Sequence, residues 1–369
     1  MARRIGVVNE MKVDFCKYNM LFQAIAGFGK TTTVHELGKI VSKGNPEGTI
    51  VLNIGREPKP DHIDGIFYQK CLDWSDLEEA IDELCDNRSE YPDTKIVCID
   101  TCDELFRIGE AEIVSQYNKT VSADKKVKTI KASFGGYQAG ERKLCDMVTE
   151  TIFKLNDYGY AIWFLGHTKI KTQEIDIINQ ISTELLTSNL PSLYYNCIKD
   201  KVSVVMAGYI EREFADVEMV KDAFTKKQKK VGDIVSEKRV VSFRDETFSQ
   251  DLKCYFVNIP SKIDFSPRNI YDTIMDAIKK DLEQKRGFEV NMEELQEQQQ
   301  ADQAPAPSPK TPKAEQPALD KSDLLKVLQE KCQADKGTLT KAMTVMKEKG
   351  YENFKAMSET DLQELLASL

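Results

Sequence analysis

The chain has 369 residues, enough for two or three domains at roughly 150 residues each. Its composition, 41% apolar and 30% charged, is that of a globular protein. No apolar run approaches the ~18 to 20 residues of a membrane span, which argues against an integral membrane protein. A net charge of −9 excludes a uniformly basic nucleic-acid coat and leaves room only for local basic loops. Arg3 and Arg4 have no apolar segment behind them, so no secretory signal is expected. Nine cysteines scattered from Cys16 to Cys332 form no paired framework. That pattern fits reduced thiols and a cytoplasmic location.

In chain order, Met20 to Ile25 is a short apolar run that ends in a glycine loop, and Thr32 to Lys43 reads as a helix. Thr49 to Ile54 is a strand candidate. Trp74 to Cys85 has apolar residues at helical spacing, with Ser75 and Glu78 as an expected capping box. Lys95 to Ile99 is a buried-strand pattern ending at Asp100, Gly140 to Asn156 is helical, and Ala161 to Leu165 is a buried strand ending at Gly166-His167. Val202 to Ile210, Val240 to Arg244 and Cys254 to Ile259 supply further strands. This alternation predicts an α/β fold with a mostly parallel sheet and helices on both faces. The clearest boundary is compositional: residues 297–318 read EQQQADQAPAPSPKTPKAEQPA, with five of the twelve prolines in thirteen residues. Such a segment buries nothing and favours extended states. The expected division is therefore a core over 1–290, a Gln/Pro/Ala-rich linker over 291–319 and a small all-α domain over 320–369. The last reads as three helices, marked by Leu324 to Leu328, by Leu339, Ala342, Met343 and Met346, and by Leu362 to Leu366 after Ser358 or Glu359.

Ala24-Ile-Ala-Gly-Phe-Gly-Lys-Thr lies between a strand and a helix and meets seven of the eight positions of the phosphate-loop pattern G-x-x-x-x-G-K-[ST]. Glycines at 27 and 29 let the backbone curl so that its N–H groups face phosphate oxygens, and the following helix adds its positive N-terminus. Ala26, Gly27, Phe28, Gly29, Lys30, Thr31 and Thr32 are expected to line the phosphates, with Lys30 on the β and γ groups and Thr31 on Mg²⁺. The departure is Ala24 at the leading position, where a required φ > 0 would cost alanine about 1 kcal/mol. Asp100 ends a buried strand, on the edge where a parallel sheet gathers its ligands, and is expected to hold the magnesium through water. The pair predicts a P-loop nucleotide-binding fold with ATP and Mg²⁺ as cofactors; no Cys/His group has zinc spacing.

Thr101 follows Asp100, so the Asp-Glu pair that many AAA-type ATPases use to activate water is absent from its usual place. Glu57, just past the Thr49–Ile54 strand, and Glu104 are the available carboxylates, and Glu57 is the better candidate base. His167 is placed to contact the γ-phosphate or the attacking water and to relay nucleotide state to the following loop.

The ordered set GFGKTTT, WSDLEEAIDEL, IVCIDTCDELF, FGGYQAGERKL, AIWFLGHTKIKT, VVMAGYIERE and VVSFRDETFSQDLKCYFVNIP resembles the phage P-loop nucleotide-binding protein family. That family belongs to the RecA-like superfamily and includes Sak-type single-strand annealing recombinases. The resemblance covers roughly residues 15 to 282. It implies a RecA-like core, a homo-oligomeric ring or filament with ATP between subunits, and a role on single-stranded DNA in phage recombination or replication in the host cytoplasm. Where the family has an arginine in its late strand this chain has Lys253, a cation expected to reach a neighbouring subunit's γ-phosphate without the bidentate fork of arginine.

Two segments break the acidic background. Residues 119–131 carry five lysines against one aspartate and lead into Phe134 and Tyr137. Lys125, Lys126, Lys128 and Lys131 are expected to track DNA phosphates, with Phe134 or Tyr137 as a stacking surface. Phe224 to Arg239 holds Lys226, Lys227, Lys229 and Lys230, while the loop expected from Thr168 to Ser188 adds only Lys169 and Lys171. The helical tail is expected to recruit a partner such as a single-strand-binding protein, or to contact DNA. The P-loop residues together with what the resemblance implies point to a DNA-dependent ATPase acting in annealing or strand exchange. The alternative they leave open is a nucleotide-dependent scaffold, loader or switch with little turnover, with a metabolic kinase a weaker third.

Overall fold

The computed structural model describes residues 11–286 except 59, 177–180, 222–227 and 246–249, together with part of 341–365. The chain divides into two compact units, Met1–Asn291 and Met292–Leu369. The linker expected over 291–319, the first helix of the tail, and Lys226 and Lys227 lie outside the described residues. In the second unit Ala342, Met346 and Leu365 are buried. There the Tyr351 hydroxyl donates to Asp361 at 2.8 Å, and the Asp361 N–H donates to Ser358 Oγ at 3.1 Å.

The first unit is built on one sheet. In chain order its elements are β1 (Met20–Ala24), α1 (Lys30–Val41), β2 (Thr49–Ile54), β3 (Tyr68–Cys71), α2 (Trp74–Asp86), β4 (Ile96–Asp100), α3 (Cys102–Thr120), α4 (Ala139–Phe153) and β5 (Ala161–Asp176). Then follow β6 (Ile181–Ser188), α5 (Ser192–Lys199), β7 (Val204–Lys221), β8 (Gln228–Ser242), β9 (Lys253–Cys254), β10 (Lys262–Asp264) and α6 (Pro267–Arg286). The ten-stranded sheet runs β10-β8-β7-β1-β5-β4-β2-β3, with β6 added to β5 and β9 to β7. From β7 to β3 all neighbours are parallel, and the remaining pairings are antiparallel. β1, β2 and β4 are buried along their whole length, which is why their sequences are near-continuous apolar runs. On one face Leu21, Leu52, Ile99 and Phe164 join a core with the apolar stripes of α2, α3, α4 and α5, and on the other α1 packs with α6. The mostly parallel α/β sheet is the P-loop core that the alternation predicts.

Local details differ from expectation. α2 is capped by Asp73, whose side chain accepts from the Asp76 N–H, and not by Ser75. Glu78 accepts from the Trp74 indole at 2.7 Å instead of closing a box. The strand expected over 254–259 stops at Cys254 because the Val257 and Asn258 N–H groups donate to the Asp281 carboxylate on α6, at 2.9 and 3.0 Å, and so have no strand partner. The largest difference lies beyond the sheet edge. β1 ends level with His167 on β5 and Gly208 on β7, its two neighbours. Both neighbours continue past that edge as antiparallel ribbons, β5 with β6 and β7 with β8. The described residues of the segment expected as a loop from Thr168 to Ser188 thus form a ribbon, and His167 lies within a strand. No helix among the described residues is long and apolar enough to cross a membrane, and the described cysteines are unpaired.

Candidate functional site

β1 delivers the loop between its last residue, Ala24, and the start of α1 at Lys30. Ala24 is paired on both sides in parallel register and is absent from the positive-φ residues, so alanine costs nothing at the position where the motif has glycine. The positive φ falls on Gly27 and Gly29, at +74° and +104°, and Gly29 is the N-cap of α1. The first amides of α1 therefore open onto the loop without internal partners, a ready anion site. Ala26 and Gly27 are exposed, and so is Thr32 in the first turn. Phe28 is buried instead, its ring against Phe22 and Phe265 at 6.0 and 4.6 Å. Gly208 makes that seat possible, since a Cβ there would lie 2.5 Å from the ring. Arg239, at the root of the β7–β8 ribbon, donates to the Phe28 carbonyl at 3.2 Å. Phe28 is thus the anchor of the loop, and its ring is not part of the phosphate lining.

Lys30 is only 8% exposed, and its Nζ donates to the carbonyls of Ala24 and Ile25 at 3.1 and 3.2 Å. Burial pushes its ammonium below the ordinary range, against the pull of Asp100, Asp103 and Glu57. Thr31 Oγ1 donates to Asp100 Oδ2 at 2.7 Å. Burial raises the Asp100 carboxyl, while the Thr31 hydrogen bond, Lys30 and His167 act the other way and Glu57 adds to the rise. A hydroxyl and a carboxylate held together are hard oxygen donors of the kind Mg²⁺ takes alongside phosphate and water, and a divalent cation would relieve the buried negative charge. Among the described residues no cluster of three or more His, Cys, Asp or Glu is arranged to hold a metal.

Glu57 reaches this cluster through one hydrogen bond: the Thr101 hydroxyl, directly after Asp100, donates to Glu57 Oε1 at 3.2 Å. The residue that replaces the expected glutamate therefore orients a glutamate from elsewhere. The loop carrying Glu57 is fixed by Lys70, which donates to Asn53 Oδ1 and to the Glu57 carbonyl, both at 2.8 Å. Glu104, the other available carboxylate, accepts from the Arg56 N–H at 3.0 Å and pairs with Arg107, so it braces the same loop. His167 is held by Asp103: its Nδ1 lies 3.1 Å from Asp103 Oδ2.

Other expected residues fall elsewhere. Lys253 donates from Nζ to the carbonyls of Lys199 and Asp200, at 2.7 and 3.1 Å, and lies over the Tyr255 ring. Its backbone pairs with Val205, three residues short of the edge where the P-loop begins. In this chain Lys253 is the C-terminal cap of α5. Lys125, Lys126, Lys128 and Lys131 are exposed on the connection from α3 to α4. Phe134 is not free to stack, because its ring packs on Tyr117 at 5.0 Å and under the Lys143 ammonium at 4.5 Å. Tyr137 is 98% exposed. Phe134 to Gln138 all have positive φ, between +51° and +86°, a conformation that only Gly135 and Gly136 adopt without strain. Sequence reasoning missed Asp103, Asn189 and Arg239. Asp103 stood in the D-T-x-D stretch already singled out, three residues after Asp100, whereas nothing in the sequence pairs Asn189 or Arg239 with the loop.

A family model described as an AAA domain matches residues 17–246, more than half of the chain, and spans every element from the P-loop strand to the root of the second ribbon. No curated protein matches the sequence. With the Gly27 to Thr31 loop, the Asp100 strand and this match in hand, the chain belongs to the AAA domain family of P-loop nucleoside triphosphatases.

Proposed function

We propose that the protein binds and hydrolyses ATP with Mg²⁺ and that it uses this cycle on single-stranded DNA, as a RecA-like protein of phage recombination or replication. The observation that carries the hydrolytic part is the convergence of Lys30, the Thr31–Asp100 pair and the Thr101-oriented Glu57 at one sheet edge. Lys30 leaves the carbonyls of its own loop for the phosphate oxygens. Thr31 and Asp100 would hold the magnesium, which when bound would neutralise charge on the phosphate oxygens. Glu57 would accept a proton from the attacking water, and His167 Nε2 would accept a hydrogen bond from that water and help to orient it.

The DNA part rests on the resemblance of the ordered motifs and on the exposed lysines beside Tyr137. A fully exposed ring on a strained loop is a reason to look for a ligand, since such strain persists where function maintains it. ATP between subunits of a homo-oligomer, a cytoplasmic location and a partner for the helical tail, such as a single-strand-binding protein, complete the reading. Binding of a labelled oligonucleotide at several salt concentrations tests it. Tyr137→Ala is expected to cost about 1–3 kcal/mol of binding free energy. Replacing Lys125, Lys126 and Lys128 by Ala is expected to lower the salt slope by roughly 2, at about 0.7 per phosphate contact on a single strand. A parent chain that binds no oligonucleotide, or variants that bind like it, would remove DNA from the account and favour the nucleotide switch.

A further inference from the structure

Asp103 lies in the first turn of α3, where an aspartate ordinarily serves the amides of its own helix. Here Thr101 is the N-cap, and the Asp103 oxygens turn sideways to the β5–β6 ribbon. Oδ2 accepts from the His167 N–H at 3.4 Å and lies 3.1 Å from His167 Nδ1. Oδ1 accepts from Asn189 Nδ2 at 3.1 Å. Asn189 follows the last residue of β6, and its N–H donates to the His167 carbonyl at 2.8 Å. Lys169, two residues along β5, donates to the Asn189 carbonyl at 2.9 Å. One carboxylate therefore touches both strands of the ribbon at its root.

The same carboxylate fixes the imidazole. An ionised Asp103 only accepts, so Nδ1 carries the proton and Nε2 remains as the working nitrogen. Burial pushes the Asp103 carboxyl up, yet the His167 and Asn189 hydrogen bonds outweigh it and hold the group below its ordinary range. His167 acts on Asp100 electrostatically and Asp103 acts on Lys30, so the pair stands beside the phosphate loop on one side and the ribbon on the other. Beyond the root, Ile170 is 66% exposed, and Lys171 is also open to solvent.

We propose that Asp103 is a positioning residue that couples occupancy of the nucleotide site to the β5–β6 ribbon, by orienting His167 beside Asp100 and fastening Asn189 at the ribbon's root. This rests on the nucleotide reading and is independent of whether the polymer is DNA. A movement of His167 toward the water beside the terminal phosphate, from which Nε2 accepts, pulls on the carboxylate that also holds Asn189. The ribbon is thereby tightened or released with the nucleotide state.

The test is amide hydrogen exchange at residues 167–172 and 185–189 in the full chain, with and without a non-hydrolysable ATP analogue and Mg²⁺. In the parent the analogue is expected to slow exchange there about tenfold, the scale of one hydrogen bond to a charged group. In Asp103→Ala and Asn189→Ala that response is expected to fall to within about twofold, with analogue affinity kept within about threefold. Asp103→Asn keeps an acceptor for Nδ1–H and is expected to restore part of the response, a rescue that a purely structural role would not give. A response that persists in both alanine variants overturns the coupling. So does an affinity that collapses with the response, because Asp103 would then belong to the binding site itself. If the parent binds no analogue, the nucleotide reading and the coupling fall together; if it binds and the ribbon does not respond, only the coupling falls.

Discussion

Lys30 is held by two carbonyls of its own loop, so its ammonium is oriented before any phosphate arrives and exchanges one set of acceptors for another. The carboxylates around it divide by environment. Asp100 is buried and raised, a group that gains from a cation, whereas Asp103 is held below its ordinary range. For Asp103 the sign of the linkage is definite. A depressed carboxyl contributes stability fully above the ordinary aspartate value of 3.8 and loses it as pH falls through the lower folded value. Asn189→Ala removes one of the hydrogen bonds responsible. The stability gap between parent and variant, measured by urea unfolding, is therefore expected to be widest above pH 3.8 and to close on acidification. A gap that stays constant down to about pH 2 would contradict this assignment of the Asp103 environment.

At the scale of elements, the P-loop is positioned by what lies behind it. Phe28 fills a seat made by Phe22, Phe265 and the bare backbone of Gly208, and Arg239 closes it from the β7–β8 root. Phe28 is 1% exposed and has no room to yield. Gly208→Ala is therefore expected to destabilise the fold by about 1–3 kcal/mol and to weaken nucleotide binding by displacing the loop. Stability within about 0.5 kcal/mol of the parent, with unchanged affinity, would show that the loop does not depend on this seat. Periodicity revealed the elements that are buried on both faces, such as Ile96–Asp100 and Thr49–Ile54, because burial writes a continuous apolar run. It missed the ribbons. Beyond His167 and Gly208 the strands leave the covered part of the sheet, and a two-stranded ribbon has no second layer to demand apolar residues, so TKIKTQEID reads as a loop.

For the whole molecule, the fold class was legible from strand–loop–helix order and from Lys30 with Asp100. The order of strands was not. β5 and β7 flank β1 although they lie far from it in sequence, and only the assembled sheet shows that both ribbons rise from the two strands beside the P-loop. The same separation hid the bracing of the site. His167 and Asp103 are 64 residues apart, and Thr101 and Glu57 are 44 apart, distances over which no local pattern carries information. Lys253 shows the converse, a residue with a plausible charge and place in the chain whose hydrogen bonds are taken by the end of α5. We propose that this cluster turns over ATP in response to single-stranded DNA. The most direct measurement is steady-state ATP hydrolysis by the full chain with and without single-stranded DNA, for the parent and for Lys30→Ala. The expected result is turnover that DNA raises about tenfold or more and that Lys30→Ala abolishes in both conditions. ATP binding without hydrolysis in either condition, or turnover that survives Lys30→Ala, would contradict it.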